Sequence, residues 1–194
     1  MKMKTKTMAL WTVGLALALL AVSLLVFKKH LVEEYYLGKL CSEDRDEKIA
    51  AIQRLGEMRS ERAISALIDE MKEGGTSFAS PLETALSAIG PKAVDPLAEL
   101  VKDKDLHELI RKWAIHALHG IGPEAKSASE ELIAISGEQD FPFRVFAILA
   151  LAAIDPTSPS TVGALRRLST DHDSQVREVA EDALKQIEAE NQNL

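Results

Sequence analysis

His116 and His119 stand three residues apart, a spacing that on one helix would turn both imidazoles toward a single metal ion. A zinc centre needs further ligands at matching intervals. No His, Asp or Glu supplies one on that stretch, and the HExxH pattern is missing. One partly packed histidine and one exposed at a helix end is the simpler reading. His107 and His172 sit beside charged loops and are expected to be solvated. Asp171 and Asp173 alternate like the start of a calcium loop, but the later ligands and the bidentate glutamate do not follow. Helix capping accounts for them better. Cys41 is the only cysteine, so neither an intramolecular disulfide nor a cysteine-rich metal site can form. No histidine near it in sequence would activate a thiolate. A Gly-x-Ser-x-Gly elbow and a phosphate-cradling glycine loop are both missing. Trp113, Phe141, Phe143 and Phe146 have helical spacing and read as core. The sequence therefore points to no catalytic residues, no metal, no cofactor and no small-molecule substrate.

The residues that do recur are basic. Arg111, Arg144 and Arg177 are 33 residues apart, each followed three positions later by Ala114, Ala147 or Ala180 and seven later by Leu118, Leu151 or Leu184. Recurrence in register argues for a structural ladder, with each guanidinium bridging to an acid at a neighbouring turn, for instance Asp140 or Asp173. The elements that must carry this ladder are amphipathic helices, because the apolar positions return every three or four residues. An earlier copy, Lys48 to Leu55, has lysine at the arginine position, and another, Leu82 to Gly90, has lost the basic residue.

Corners follow the first helices: Gly90-Pro91-Lys92-Ala93, Gly122-Pro123-Glu124-Ala125 and Asp155-Pro156. Glycine ends a helix and proline forbids its continuation. A shorter apolar helix comes next each time, beginning near Ala63, Ala93, Glu131 and Val162. Asp44-Arg-Asp-Glu47 and Ser80-Pro-Leu-Glu83 read as capping boxes, Ser158-Pro159 opens a second helix, and Asp173 caps the last. No segment alternates like a strand. One such pair cannot bury both its faces, so successive pairs must stack in a row.

The Arg-x-x-Ala-x-x-Ala-Leu helices, the Ile-Gly-Pro-x-Ala corners at Ile89 to Ala93 and Ile121 to Ala125, and Asp171-x-Asp-Ser-Gln-Val-Arg177 resemble the HEAT-repeat family, in particular its phycobilisome-lyase type. The resemblance covers about residues 43–190. It implies an all-α, right-handed α-α superhelix, a HEAT-like solenoid of four helix pairs and a capping helix. It also implies that the second helices line a concave binding face. Their exposed positions would be Asp69, Glu70, Glu99, Lys102, Glu130, Glu131, Arg166 and Arg167, acidic over the first repeats and basic at the fourth.

Ahead of the repeats, Met8 to Phe27 is an uncharged run of 20 residues. As a helix it would span about 30 Å, the thickness of a bilayer core. Lys2, Lys4 and Lys6 precede it, while Lys28 and Lys29 close it. The expected organisation is a basic tail (1–7), a transmembrane signal-anchor helix (8–27), a juxtamembrane linker (28–42) and the repeat domain (43–190). Lysines on the short tail disfavour its translocation, which places the repeats on the extracytoplasmic side. Residues 1–30 hold five of the 23 basic side chains and none of the 30 acids, so the remainder carries 18 against 30. That acidic body would be repelled by nucleic acid and by anionic head groups.

The function expected from the sequence is a non-catalytic, membrane-tethered scaffold or adaptor whose partner is another protein. The alternatives are a chromophore lyase-like enzyme, which only the family resemblance suggests, and an accessory subunit of a membrane complex.

Overall fold

The computed structural model describes residues 2–192, with side chains at residue 15 and over 19–189. Its α-helices are α1 (Lys2–Lys39), α2 (Arg45–Glu57), α3 (Ile64–Glu73), α4 (Ala79–Ile89), α5 (Val94–Lys102), α6 (Glu108–Ile121), α7 (Ser129–Ser136), α8 (Arg144–Ile154), α9 (Pro159–Leu168) and α10 (Ser174–Gln192). No strand occurs among the described residues. Behind α1 stand four helix pairs, α2/α3 to α8/α9, closed by α10.

The apolar periodicity explains the layers. First helices pack in chain order, α2 on α4, α4 on α6, α6 on α8 and α8 on α10. The second helices form their own row, α3 on α5, α5 on α7 and α7 on α9. Each of α5, α7 and α9 also lies along the first helix of the next repeat, more extensively than along the helix that precedes it. Burial is therefore shared between repeats rather than completed within one. Ile52, Leu55, Leu82, Leu86, Leu97, Ile115, Leu118 and Leu132 are fully buried in one continuous core from Leu40 to Ile154. A smaller cluster of Ile148, Leu165, Val176, Ala180 and Ile187 seats the terminal helix. Each such aliphatic side chain contributes roughly 1.5–3 kcal/mol by leaving water.

Small residues set the helix spacing. A Cβ added at Gly56 of α2 would stand 2.6 Å from the Cα of Ala85 on α4, so the two backbones meet where both sequences have almost no side chain. The corners are short 3-10 turns, Glu61–Ala63, Pro91–Ala93 and Gly122–Ala128. Gly90 (φ 85°) and Gly122 (φ 73°) supply the left-handed backbone that lets the chain turn there.

Asp44 caps α2, its carboxylate accepting from the amides of Asp46 and Glu47. Glu47 does not reach back to complete a capping box; it binds Lys39 and Ser42. The expected cap at Ser80 is corrected by the structure. A 3-10 turn, Gly75–Phe78, leads directly into α4, and the Ala79 amide donates to the Thr76 carbonyl. With its first amide already satisfied, the helix begins at Ala79, two residues before a cap at Ser80 would start it, and Ser80 lies inside its first turn. Ser158 stands at the N-cap of α9 with Pro159 next, but makes no side-chain capping bond.

The uncharged stretch 8–27 falls within α1, although half of its side chains lie outside the described residues. Among the described residues no helix is long and apolar enough to cross a membrane. Segment 28–42 is helical as far as Lys39, and its Glu33 and Leu40 are buried against the first repeat.

Replacing Gly56 by Ala is expected to destabilise the fold by about 1–3 kcal/mol, because the Ala85 backbone cannot retreat. Gly163→Ala in α9, which would meet only the end of the Arg167 side chain at 3.8 Å, should stabilise by about 0.5–1 kcal/mol. Urea unfolding of both variants checks this. Equal effects would mean that helix propensity, not the close crossing, governs these positions.

Candidate interaction surface

The recurring arginines act as staples between repeats. Arg111, buried at the start of α6, donates its Nε to the Val101 carbonyl at 2.9 Å and its Nη2 to Glu138 at 2.9 Å. Arg144, buried at the start of α8, repeats the arrangement. Its Nε donates to the Ser136 carbonyl at 2.7 Å, and its two terminal nitrogens reach Asp171 at 3.1 and 2.5 Å. Each guanidinium thus joins the C-terminal end of the preceding second helix to the exit of its own second helix. Cations at helix C-termini also meet the negative end of the helix dipole. Arg177 opens α10 in the same register, donating to the carbonyls of Asp171 and His172 at 2.6 and 2.9 Å.

The acidic partners are Glu138 and Asp171, not Asp140 and Asp173. Asp140 is exposed, and Asp173 caps α10 by accepting from the Gln175 amide at 2.8 Å. Lys48 binds both carboxylate oxygens of Glu70 at 3.0 and 3.1 Å, so the first pair keeps the link in a weaker form. Leu82 takes the basic position in the second pair and is fully buried.

This geometry shifts the acids. The Arg144 hydrogen bond, opposed by burial and aided by the Asp173 amide, pulls the Asp171 carboxyl down to about 2. Burial works against ionisation of Glu138, but hydrogen bonds from Lys104 and Arg111 prevail and hold it below the usual carboxylate range.

On the row of second helices, the residues expected to bind a partner separate into two kinds. Glu70 is taken by Lys48, and Glu99 pairs with Lys102 at 2.6 Å along α5. The side chains of Asp69, Glu130, Arg166 and Arg167 are exposed and make no hydrogen bond or ion pair among the described residues. Lys102, Glu130 and Glu131 meet in one groove of about 300 Å³ beside Lys104, Arg111 and Glu138. One carboxylate oxygen of Glu131 is buried there without a hydrogen-bond partner. Asp69 and Glu70 on α3, and Arg166 and Arg167 on α9, are not part of that groove.

Sequence reading missed a second groove on the row of first helices. Leu149, Ala152, Ala153, Val179 and Ala183 line an apolar hollow of about 400 Å³ between α8 and α10. Its signal was present, since Arg144 to Ile154 is apolar on every side and one face had to remain outward; Leu149 is 46% exposed. The histidines divide. His116 stacks edge-on against Phe146 and faces Glu83 at 3.4 Å, while His119 is exposed beside the apolar hollow. Burial raises the Glu83 carboxyl above its ordinary range against the opposing pull of His116. His107 caps α6 by accepting from the Leu109 amide. No group of three or more His, Cys, Asp or Glu that could hold a metal occurs among the described residues.

The row of pairs, each buried against its neighbours, makes this chain an all-α helical repeat protein. No protein-family model and no curated protein matches the sequence. Among solved structures, an engineered protein is similar at a TM-score of 0.48 and 23% identity, over 81% of this chain and 79% of that one. A second engineered protein gives 0.48 and 23% over 80% of this chain, which spans 47% of that longer structure. A designed armadillo repeat protein gives 0.33 and 16%, covering 79% of this chain and 98% of the design.

Asp171→Ala leaves a buried guanidinium without its counter-charge and is expected to lose about 3–5 kcal/mol at pH 7. Because the folded-state value of Asp171 is depressed, its contribution is complete above about pH 4 and lost as pH falls toward 2. The gap between wild type and variant should therefore narrow by about 2 kcal/mol over that window. Urea unfolding at stepped pH reads it, and parallel curves would refute the staple.

Proposed function

We propose that this chain is a non-catalytic, membrane-tethered protein-interaction scaffold, a HEAT-like right-handed superhelix held at the end of its anchor. One observation carries the tether. Leu19, Leu20, Val22, Leu24, Leu25, Val26 and Phe27 are each 57–68% exposed. Nearly consecutive residues surround a helix on all sides, so no single protein partner face would cover them. A helix apolar around its whole circumference suits lipid. Together with the uncharged run to Met8, it supports a single span over 8–27, and the lysines Lys2, Lys4 and Lys6 on the short tail favour the repeats lying on the extracytoplasmic side.

The partner surface is the row of second helices centred on the groove of Glu130 and Glu131. A half-buried carboxylate with an unsatisfied oxygen, beside a second free acid, suits a lysine or arginine from a basic protein segment. Tethering confines both proteins to one membrane and raises their effective concentration. An enzyme of the chromophore-lyase kind would line a ligand pocket with a thiol, a histidine or clustered aromatics; His119 borders the hollow between α8 and α10, with no aromatic side chain in its lining. Cys41 is exposed ahead of α2 and lines neither groove.

Two measurements test this. The full chain should stay with membranes through an alkaline wash, and deletion of 2–27 should release it; release of the full chain would end the tethered reading. A photo-crosslinking residue in place of Ala134, which is exposed and lines the groove, should yield a discrete adduct in membranes. Glu130→Lys with Glu131→Lys should reduce that yield at least fivefold and flatten its salt dependence. An adduct indifferent to both reversals would move the partner off this groove. Loss of the adduct on exchanging 8–27 for an unrelated apolar segment would favour the accessory-subunit alternative, in which the anchor itself is recognised.

A further inference from the structure

The groove where α1 meets the end of α2 is lined by Leu25, Lys28, Lys29, Val32, Arg54 and Met58, with a volume of about 290 Å³. Three cations and three apolar side chains share it, and no carboxylate lines it. We propose that this groove binds an anionic phospholipid: the two lysines and Arg54 hold its phosphate, and Leu25, Val32 and Met58 lie along its glycerol and first acyl carbons. The proposal rests on the tethered reading above.

Depth along α1 supports it. Lys28 is the first charge after the uncharged run. At about 1.5 Å per residue, Lys28 to Val32 occupy roughly the 5–7 Å that head groups add to one side of the hydrocarbon core. The end of α2 is fixed at that level. Ser60 donates to the buried Glu33, while Arg62 reaches Glu33 at 3.2 Å, Glu34, and His30 at 2.9 Å. The Ser60 and Arg62 hydrogen bonds hold Glu33 below the ordinary carboxylate range against its burial. These acids are engaged further along α1 than the two lysines. Glu57 holds Arg54 at 2.6 Å, but that pair is exposed and readily exchanged.

A second observation comes from the backbone. The turn that ends α2 closes with Ser60 N–H to Leu55 O at 3.0 Å and Arg59 N–H to Gly56 O at 2.9 Å. This arrangement places Arg59 in the left-handed region, at φ 50°. Glycine is favoured at such a position. An arginine stands there instead, its side chain exposed and making no hydrogen bond or ion pair among the described residues, directly after groove residue Met58. Its charge has a use outside the fold. The acidic body is repelled from an anionic surface while this one corner is drawn to it, so the contact would set how the repeats stand on the membrane.

The test uses the full chain in detergent micelles, titrated with phosphatidylglycerol or phosphatidylcholine and read by native mass spectrometry. Phosphatidylglycerol should be retained at least fivefold more tightly. Lys28→Gln with Lys29→Gln should weaken retention by about tenfold or more, at roughly fivefold per charge. Arg59→Gly should weaken it by up to about fivefold while raising the thermal midpoint, a combination that a purely structural arginine would not give. Equal retention of the two lipids, or retention unchanged in both variants, overturns the proposal. Displacement of the lipid by millimolar glycerophosphoglycerol alone would assign the groove to a soluble phosphate and also overturn it. A chain that washes off neutral phosphatidylcholine vesicles at alkaline pH defeats the tether and this proposal together. One that stays on them without lipid preference defeats the groove alone.

Discussion

No pair of helices in this chain can bury its apolar faces alone, and every other feature follows from that shortage. Leu97 on α5 and Leu118 on α6 belong to different repeats, yet both are fully buried in one continuous core. Because α5, α7 and α9 each lie along the first helix of the following repeat, removing one pair would expose apolar surface on its neighbours. Both ends of such a row need covering. The last turns of α1 cover one, through Glu33 and Leu40, and α10 covers the other with Val176, Ala180 and Ile187.

Apolar stacking is not directional, so something must fix how far each pair rotates on the next. The arginine staples do this. A guanidinium offers several donors in one plane, and Arg111 and Arg144 spend them in parallel: Nε on the last turn of the preceding second helix, and Nη2, joined in Arg144 by Nη1, on an acid beyond their own second helix. Burying such a charge costs free energy unless every lone pair and proton is met. Here the carbonyl and the carboxylate meet it from two different repeats, so the bond forms only when both are in register.

This logic decides what could be read from the chain itself. The periodicity, the glycine-proline corners and the recurrence of Arg111, Arg144 and Arg177 are local patterns, and local patterns predict helices and their succession. Which acid answers each arginine is not local. Glu138 and Asp140 are equally plausible along the sequence, and only the path of the loop after α7 turns Glu138 inward. The cap at Ser80 failed for a related reason, since a 3-10 turn runs directly into the helix and starts it ahead of Ser80. The groove of Glu130 and Glu131 needed α5, α6 and α7 together. Individual exposed charges were legible; their convergence was not.

The junction with α1 carries the argument toward function. Had 28–42 been a loose tether, the repeats would sample every orientation above a membrane, and their surface charge would act only as an average. Instead, helix continuity to Lys39 and the buried Ser60–Glu33 contact join the apolar segment to the first repeat. A rigid joint converts the position of each residue along α1 into a height. At that joint the basic side chains Lys28, Lys29 and Arg54 line one groove of an otherwise acidic body. Under the proposed tether, a solenoid so held would present the same face to every neighbour in a membrane, and a weak docking groove would then be selective, because orientation would be settled before a partner arrives.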